Sequence, residues 1–330
     1  MPDELKDLVD VHRDVYQQNG AVSICTHANQ AHGDDIASLA LLTFLFPKAY
    51  INRTRDEAII DRHLESESGI VVDVGEVYSP SDLAFDHHQD PRLGASFVLV
   101  AEHFLGPDWV EDASQVYKWW NAADVNDRAG VNAAVEATSI NAVANPPVGS
   151  VLRDVVSAHD IIKPGSDLHR TLRMLGKSII SNMHRMQDNR DAILENAEVE
   201  TMHVTRKKEG EPGDVTIQPG DCAQSPQDFR ILTTEVTGSP TIYRLVQRMQ
   251  PYELSITRQE SGQWHLWRDQ SVADRFDLTL CKDLPMCTFA HDQGFLAAFK
   301  NKRAAIQAVV GLGFELSGEM SAQEFIERVA

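Results

Sequence analysis

The sequence predicts an α/β protein. It would have an N-terminal domain with a mostly parallel sheet and flanking helices, a helical connector and a smaller α+β C-terminal domain. Three observations carry this. Short apolar strands alternate with helical patterns over the first half of the chain, the signature of a parallel sheet. The stretch from Asp167 to Glu200 lacks proline, has little glycine and keeps helical periodicity. Beyond Thr201 the texture changes to half-exposed strands. The expected divisions are 1–165, 166–200 and 201–330, and 330 residues suit two domains.

In order, AVSICTH (21–27) reads as a buried strand, followed by a polar loop and an apolar helix from Ile36 to Phe46. Asp34 or Asp35 is placed to cap that helix. A strand near Ala49–Arg53 and a helix near Glu57–Ser66 come next, then the strands GIVVDVG (69–75) and LAFDHH (83–88). Helical patterns occupy Ser96–Phe104, Trp109–Ala122 and Val131–Val143. In the last third, KKEGEPGD (207–214) reads as a turn. FRILTTEV, YELSITRQ and QWHLWRD read as strands of an antiparallel, half-exposed sheet. MCTFA (286–290) reads as a buried strand, and Phe295–Val310 and Ser321–Val329 as helices.

A formal charge of −19 argues against a generic nucleic-acid coater, which is usually basic. The excess carboxylates serve solubility, or some of them gather around cations. A local basic run, His169, Arg170, Arg173, Lys177, His184, Arg185 and Arg190, is either a solvated helix face or a phosphate-facing wall. Cys25, Cys222, Cys281 and Cys287 show no CxxC pairing, which argues against a zinc ribbon or dithiol redox motif. MPDELKDLVDVHRD has no signal-type apolar region, and no run reaches the roughly 18 apolar residues of a membrane span. The expectation is a cytoplasmic protein without membrane partners.

The chemistry concentrates in the first 130 residues. Carboxylates and imidazoles suit hard and borderline divalent cations. They recur here four times: His27-x4-His32-x-Asp34 after the first strand, Asp73 inside VVDVG, the run Asp86-His87-His88, and Asp124 with Asp127. In an open α/β sheet the carboxyl ends of parallel strands meet at one crevice. An ionised Asp73 in a Val-rich strand is costly unless something pairs with it, and a cation supplies that partner.

This ordered set resembles the DHH phosphoesterase superfamily, which includes RecJ-type exonucleases, family II inorganic pyrophosphatases and nanoRNases. It is most similar to the melanocyte-proliferating-gene exonuclease branch. THANQAHGDD (26–35), RTRD (53–56), IVVDVGEVY (70–78), FDHHQ (85–89), the Asp124–Asp127 pair and CTFAHDQGFLAAFK (287–300) carry the likeness. By that resemblance, His27 and His32 hold one metal, Asp34 the second, and Asp73 bridges both. His87 and an aspartate at 124 or 127 complete the second site. His88 faces phosphate or handles a proton, and Asp86 fixes a histidine tautomer. Asp73, Asp86 and His88 are thus the catalytic set. The implied cofactor is two Mn²⁺ ions, with Mg²⁺ as substitute. On the substrate side, the resemblance implies His291, Gly294, Phe295 and Lys300; Arg53 and Arg55 either face the cleft or form surface salt bridges.

The sequence departs from the branch in three places. Gly33-Asp34-Asp35 stands for Cys-Asp-Glu, Asp127-Arg128-Ala129 for Asp-Asn-Gly, and Ala297 and Ala298 for two glycines. The expected function is Mn-dependent 3′–5′ exonucleolytic hydrolysis of RNA or short single-stranded oligonucleotides, with a homodimer allowed. The alternatives are a pyrophosphatase, polyphosphatase or small-nucleotide phosphohydrolase, and a metal-binding regulatory protein with little turnover.

Overall fold

The computed structural model describes residues 22–139, 147–205, 214–219 and 228–317. Nearly all of the turn expected at 207–214, the helix at 321–329, the end of the 131–143 pattern and the N-terminal segment lie outside them. The fold is mixed α/β, with a mostly parallel sheet and a second sheet in a separate unit. The chain divides into compact units Met1–Arg185 and Met186–Ala330.

The first unit begins with β1 (Ser23–His27), α1 (Gly33–Leu45), β2 (Tyr50–Thr54), α2 (Glu57–Leu64), β3 (Gly69–Val72), β4 (Tyr78–Ser79) and β5 (Ala84–Phe85). Helices α3 (Ser96–Leu105), α4 (Pro107–Val116), α5 (Lys118–Ala129), α6 (Val131–Thr138) and α7 (Pro147–Ser157) follow, then β6 (Ile161–Ile162) and α8 (Asp167–Asn196), whose residues from Met186 onward belong to the second unit. The sheet order is β4-β5-β3-β1-β2-β6. The inner strands β5, β3, β1 and β2 are parallel, and β4 and β6 close the edges antiparallel. Ile24, Val71, Val72 and Phe85 are fully buried, as expected for parallel strands covered on both faces.

Helix α1 is buried from Asp34 to Leu45, which explains its apolar composition all round. The helix-capping expectation needs correction. His32 is the N-cap, and Asp35, three residues on, reaches back so that its Oδ2 accepts the His32 amide at 2.7 Å. The pattern at Trp109–Ala122 is two helices rather than one. Tyr117, extended at φ −100° and ψ 102°, breaks it, and its hydroxyl donates to the Ile179 carbonyl of α8 at 2.6 Å. Gly176 in α8 packs against α1 so closely that a Cβ there would lie 1.9 Å from the Ala40 carbonyl oxygen.

The second unit contains β7 (Glu198–Thr205), β8 (Asp214–Pro219), β9 (Phe229–Thr234), α9 (Pro240–Met249), β10 (Leu254–Arg258), β11 (Trp264–Arg268), β12 (Cys287–Ala290), β13 (Leu296–Phe299) and α10 (Lys302–Ser317). Its seven-stranded sheet runs β12-β13-β11-β10-β9-β7-β8. The antiparallel expectation fails at one pair. β9 and β10 are parallel, because α9 crosses between them. Ser239 caps α9 by accepting the Ile242 amide, with Pro240 in the first turn. The helix expected over Phe295–Val310 divides into β13 and α10: Leu296–Phe299 pairs with β11 and β12. β12 is an edge strand rather than a buried one, and Phe289 is 50% exposed.

Candidate metal centre

The centre is built at the carboxyl ends of β1, β3 and β5 and the amino ends of α1 and α3. β1 delivers His27, and the following loop carries His32 to the start of α1. Asp73 follows β3 directly, and its backbone is left-handed at φ 57°, a conformation that aspartate tolerates better than most residues. The run Asp86-His87-His88 follows β5. Asp127 arrives from the last turn of α5.

Two four-residue donor sets converge, each with its ligand atoms within 4.8 Å of one another: His27, His32, Asp35 and Asp73, and Asp34, Asp73, His87 and Asp127. Asp73 belongs to both, and also to a smaller set with His87 and His88. Its Oδ2 lies 3.3 Å from His27 Nε2 and its Oδ1 3.6 Å from His87 Nε2. His27 Nε2 is also 2.8 Å from Asp35 Oδ2, and His87 Nε2 is 2.8 Å from Asp127 Oδ2. Yet both buried Nε2 atoms lack a well-directed hydrogen bond among the described residues. Close oxygens that lie off the ring N–H axis fit a position between them for a shared cation better than a set of hydrogen bonds.

Electrostatics say the same. Burial alone would lower the imidazole pKa of His27, but the neighbouring Asp35 and Asp73 carboxylates lift it to about 10. His87, likewise opposed by burial, is lifted to about 10 by Asp127 and Asp73. Asp34 is pushed well above the carboxylate range by burial and by Asp73 and Asp127. Burial would also raise Asp73, but its histidine contacts hold it below that range. Without a cation, protons on the histidines and on Asp34 offset the crowded negative charge.

Supporting contacts fix the donors. His27 Nδ1 faces the Ala28 carbonyl at 2.7 Å, which leaves Nε2 to point inward. Asp35 Oδ1 accepts the Thr26 hydroxyl at 2.8 Å. Asp86 Oδ1 lies 2.6 Å from His88 Nδ1, and its Oδ2 accepts the Glu76 amide at 2.7 Å. The His88 side chain is 56% exposed and its Nδ1 stands 3.7 Å from Asp73 Oδ1, so the far nitrogen is placed to meet a ligand. The N-terminus of α3 is capped from two other helices. Asp34 accepts the Ser96 amide at 3.0 Å and the Phe97 amide at 2.6 Å, while Asp124 accepts the Ala95 amide at 2.8 Å.

His27, His32, Asp34, Asp73, His87, His88 and Asp127 therefore come together. Asp124 does not join either donor set; it binds Ala95 and Arg128 instead. Arg53 is buried, and its guanidinium donates to the Val156 and Asn29 carbonyls at 2.9 Å each, tying the loop after β1 to α7. Arg55 is exposed. In the second unit, His291 and Gly294 close a turn through the Gly294 amide and the His291 carbonyl, with Phe295 next along the chain. Gly294 has φ +63°, and a Cβ there would lie 2.4 Å from Asp277 Oδ1. Lys300 is exposed just after β13. The donor that sequence reasoning misses is Asp35. Its spacing from His32 carries a signal, but that signal is equally the one of a helix cap.

The family comparison meets the sequence over the segment that carries most of these donors. Residues 23–93 match the MYG1 exonuclease model, described as Uncharacterised protein family UPF0160. The chain is similar to a MYG1 protein of Dictyostelium discoideum, with 29% identity over 116 residues, 34% of this chain and 32% of that protein. It is also similar to a MYG1 protein of Chlamydia muridarum, with 38% identity over 90 residues, 26% of this chain and 29% of that protein. The chain thus spans about a third of the length of the curated relatives it matches. A structure of RecJ in complex with Mn²⁺ from Thermus thermophilus aligns with 97% of this chain and 56% of its own, at 12% identity and TM-score 0.25. An uncharacterised protein from Helicobacter pylori aligns with 88% of this chain and 99% of its own, at 10% identity and TM-score 0.22. At these TM-scores the structural alignments carry no argument. The expected resemblance to the melanocyte-proliferating-gene branch is found, and it lies on the segment that holds HxxxxHxD, Asp73 and the DHH run.

Proposed function

We propose that this chain is a metal-dependent phosphoesterase that removes nucleotides from the 3′ end of RNA or short single-stranded oligonucleotides. The observation that carries the reading is the pair of donor sets sharing Asp73. His27, His32, Asp35 and Asp73 would hold one divalent ion, and Asp34, Asp73, His87 and Asp127 the other. The mixed imidazole and carboxylate donors suit manganese, with magnesium as a substitute. Bound there, the ions would supply a low-pKa water and a clamp for charge developing at phosphorus.

The chain's own residues do the rest. Asp86 orients His88 through Nδ1, which leaves Nε2 as the group that meets a phosphate oxygen or takes up a proton. Thr26 and the His32 amide hold Asp35, and the α3 amides hold Asp34. These carboxylates are thereby set before a cation arrives. Arg53 acts on shape, by fixing the loop between His27 and His32. The −19 charge favours short substrates over long duplex, because a long polyanion is repelled along its length. No helix among the described residues is long and apolar enough to cross a membrane.

The test is a manganese-supplemented panel of oligoRNA, oligoDNA, dinucleotides and pyrophosphate, run with the chain and with Asp73→Asn. Stepwise shortening of 3′-extended RNA that disappears in Asp73→Asn is the expected result. Phosphate release from pyrophosphate with no shortening of oligonucleotides would move the reading to a pyrophosphatase.

A further inference from the structure

The donors of the candidate centre stand on unequal supports. His27 ends β1, Asp73 follows β3, His87 lies just past β5, and Asp34, Asp35 and Asp127 sit on helices α1 and α5. His32 is reached across a loop, residues 28–31, and caps α1 from outside the helix. It is also the exposed member of its set, while His27, Asp35 and Asp73 are buried. A ligand carried by a loop is only as well placed as the contacts that hold that loop.

β2 holds the beginning of the loop and α7 its end. The Ala28 amide donates to the Thr54 carbonyl at 3.2 Å, and the Asn29 carbonyl accepts Arg53 Nη2 at 2.9 Å. Asn29 is left-handed at φ 74°, a conformation that asparagine tolerates. The last contact stands next to the ligand. The Ala31 amide donates at 2.8 Å to Oγ of Ser157, the final residue of α7, across 126 positions of sequence. Ala31 is fully buried, so its amide cannot turn to water if that oxygen is removed.

The serine is set in turn by its own helix. Its hydroxyl donates its proton to the Arg153 carbonyl at 2.7 Å, which leaves an oxygen lone pair facing Ala31. The end of α7 is fastened to β2, because Arg53 Nη1 donates to the Val156 carbonyl and the Arg53 amide to the Asp160 carbonyl. A displacement at Ala31 passes to His32, and from there to Asp35, which accepts the His32 amide. Both belong to one donor set. In the other set, Asp34 is held by the Ser96 and Phe97 amides of α3, and Asp127 comes from α5.

We propose that Ser157 is a positioning residue for the ion of His27, His32, Asp35 and Asp73, and leaves the ion of Asp34, Asp73, His87 and Asp127 unaffected. This rests on the reading of the chain as a two-ion phosphoesterase, and it extends the centre to α7, beyond the last donor in sequence. Ser157 supplies no ligand atom. It acts through the peptide between Ala31 and His32.

The experiment is calorimetric titration of the metal-free full chain with Mn²⁺ alone. The wild type should take up two ions. Ser157→Ala should keep one at wild-type affinity and weaken the other about 10- to 100-fold, the range for loss of a group that orients a metal ligand. Ser157→Thr retains the hydroxyl and should restore both. His32→Ala should weaken the same ion, and in that background Ser157→Ala should cause little further loss, because the serine acts through that histidine. If Ser157→Ala fails to fold, Ser157→Cys keeps the shape with a weaker acceptor and carries the same comparison. Equal weakening of both ions, or the full loss repeated in the His32→Ala background, would overturn the assignment. A wild type that binds fewer than two ions would overturn the two-ion reading itself. Two ions bound by the wild type, with both affinities unchanged in Ser157→Ala, would overturn the positioning role alone.

Discussion

Arg128 grips Asp124 with two hydrogen bonds, Nε to Oδ1 at 3.0 Å and Nη2 to Oδ2 at 2.5 Å, one turn apart on the same helix. The same Oδ1 also accepts the Ala95 amide, so Asp124 is committed to a cation of the chain's own and to the start of α3. Asp127 faces His87 instead.

These two aspartates should therefore separate in experiment. Asp127→Asn is expected to lower manganese affinity by more than about 100-fold, the upper end for loss of a merely supporting partner. Asp124→Ala should keep metal content but remove this cap from α3, at a cost of about 1 kcal/mol. Metal content and thermal melts of the two variants check this, and equal metal loss in both would refute the assignment.

Metal loading should release protons. His27 and His87 sit at about 10 in the metal-free chain, and an imidazole must be neutral to ligate. Apparent manganese affinity should then rise with pH throughout the range below about 10. Titration calorimetry in two buffers of different ionisation enthalpy measures the release; a heat independent of buffer would count against it.

Stability of the metal-free chain should run the other way. A histidine whose folded pKa is raised above its unfolded value of about 6.5 stabilises the fold fully below that pH, and the benefit fades as pH rises toward 10. Metal-free melting temperature should fall from pH 6.5 to 10, and saturating manganese should remove much of that slope, because the cations replace the protons. Melts across this range with and without manganese decide it.

Gly176 offers a test of packing alone. A Cβ there would lie 1.9 Å from a backbone oxygen of α1, which cannot rotate away. Alanine is the better helix former by about 1 kcal/mol, but forced overpacking costs about 1–3 kcal/mol. Gly176→Ala should lose stability on denaturant unfolding despite its propensity; a gain would mean that α8 and α1 separate freely.

Much of this is legible in the residues. The alternation of strand and helix predicts the parallel sheet, because a strand buried on both faces must be apolar throughout, as in Gly69–Val72. His27, Asp73 and His87 are visible because charged or imidazole groups at the ends of apolar strands need a reason. What stays hidden depends on tertiary partners. Asp35 doubles as a helix-start residue and a donor, and only the position of His27 tells the two apart. Asp124 and Asp127 lie three residues apart, and nothing in their spacing tells that Arg128 pairs with the first while the second faces His87. Leu296–Phe299 has alanine-rich helical propensity but is drawn into a strand by pairing with β11. The parallel β9–β10 pair follows from α9, and only the Ser239-Pro240 start of that helix signals it in the sequence.

The left-handed backbone at Asp73 narrows what that position can become. Glutamate would keep the charge, but its longer side chain suits that backbone handedness poorly. Asparagine and glycine accept the handedness but bring no carboxylate. A residue asked for both a rare backbone and a full negative charge has nearly no neutral neighbours in sequence space. Saturation mutagenesis at this codon should therefore leave a survivor list of one.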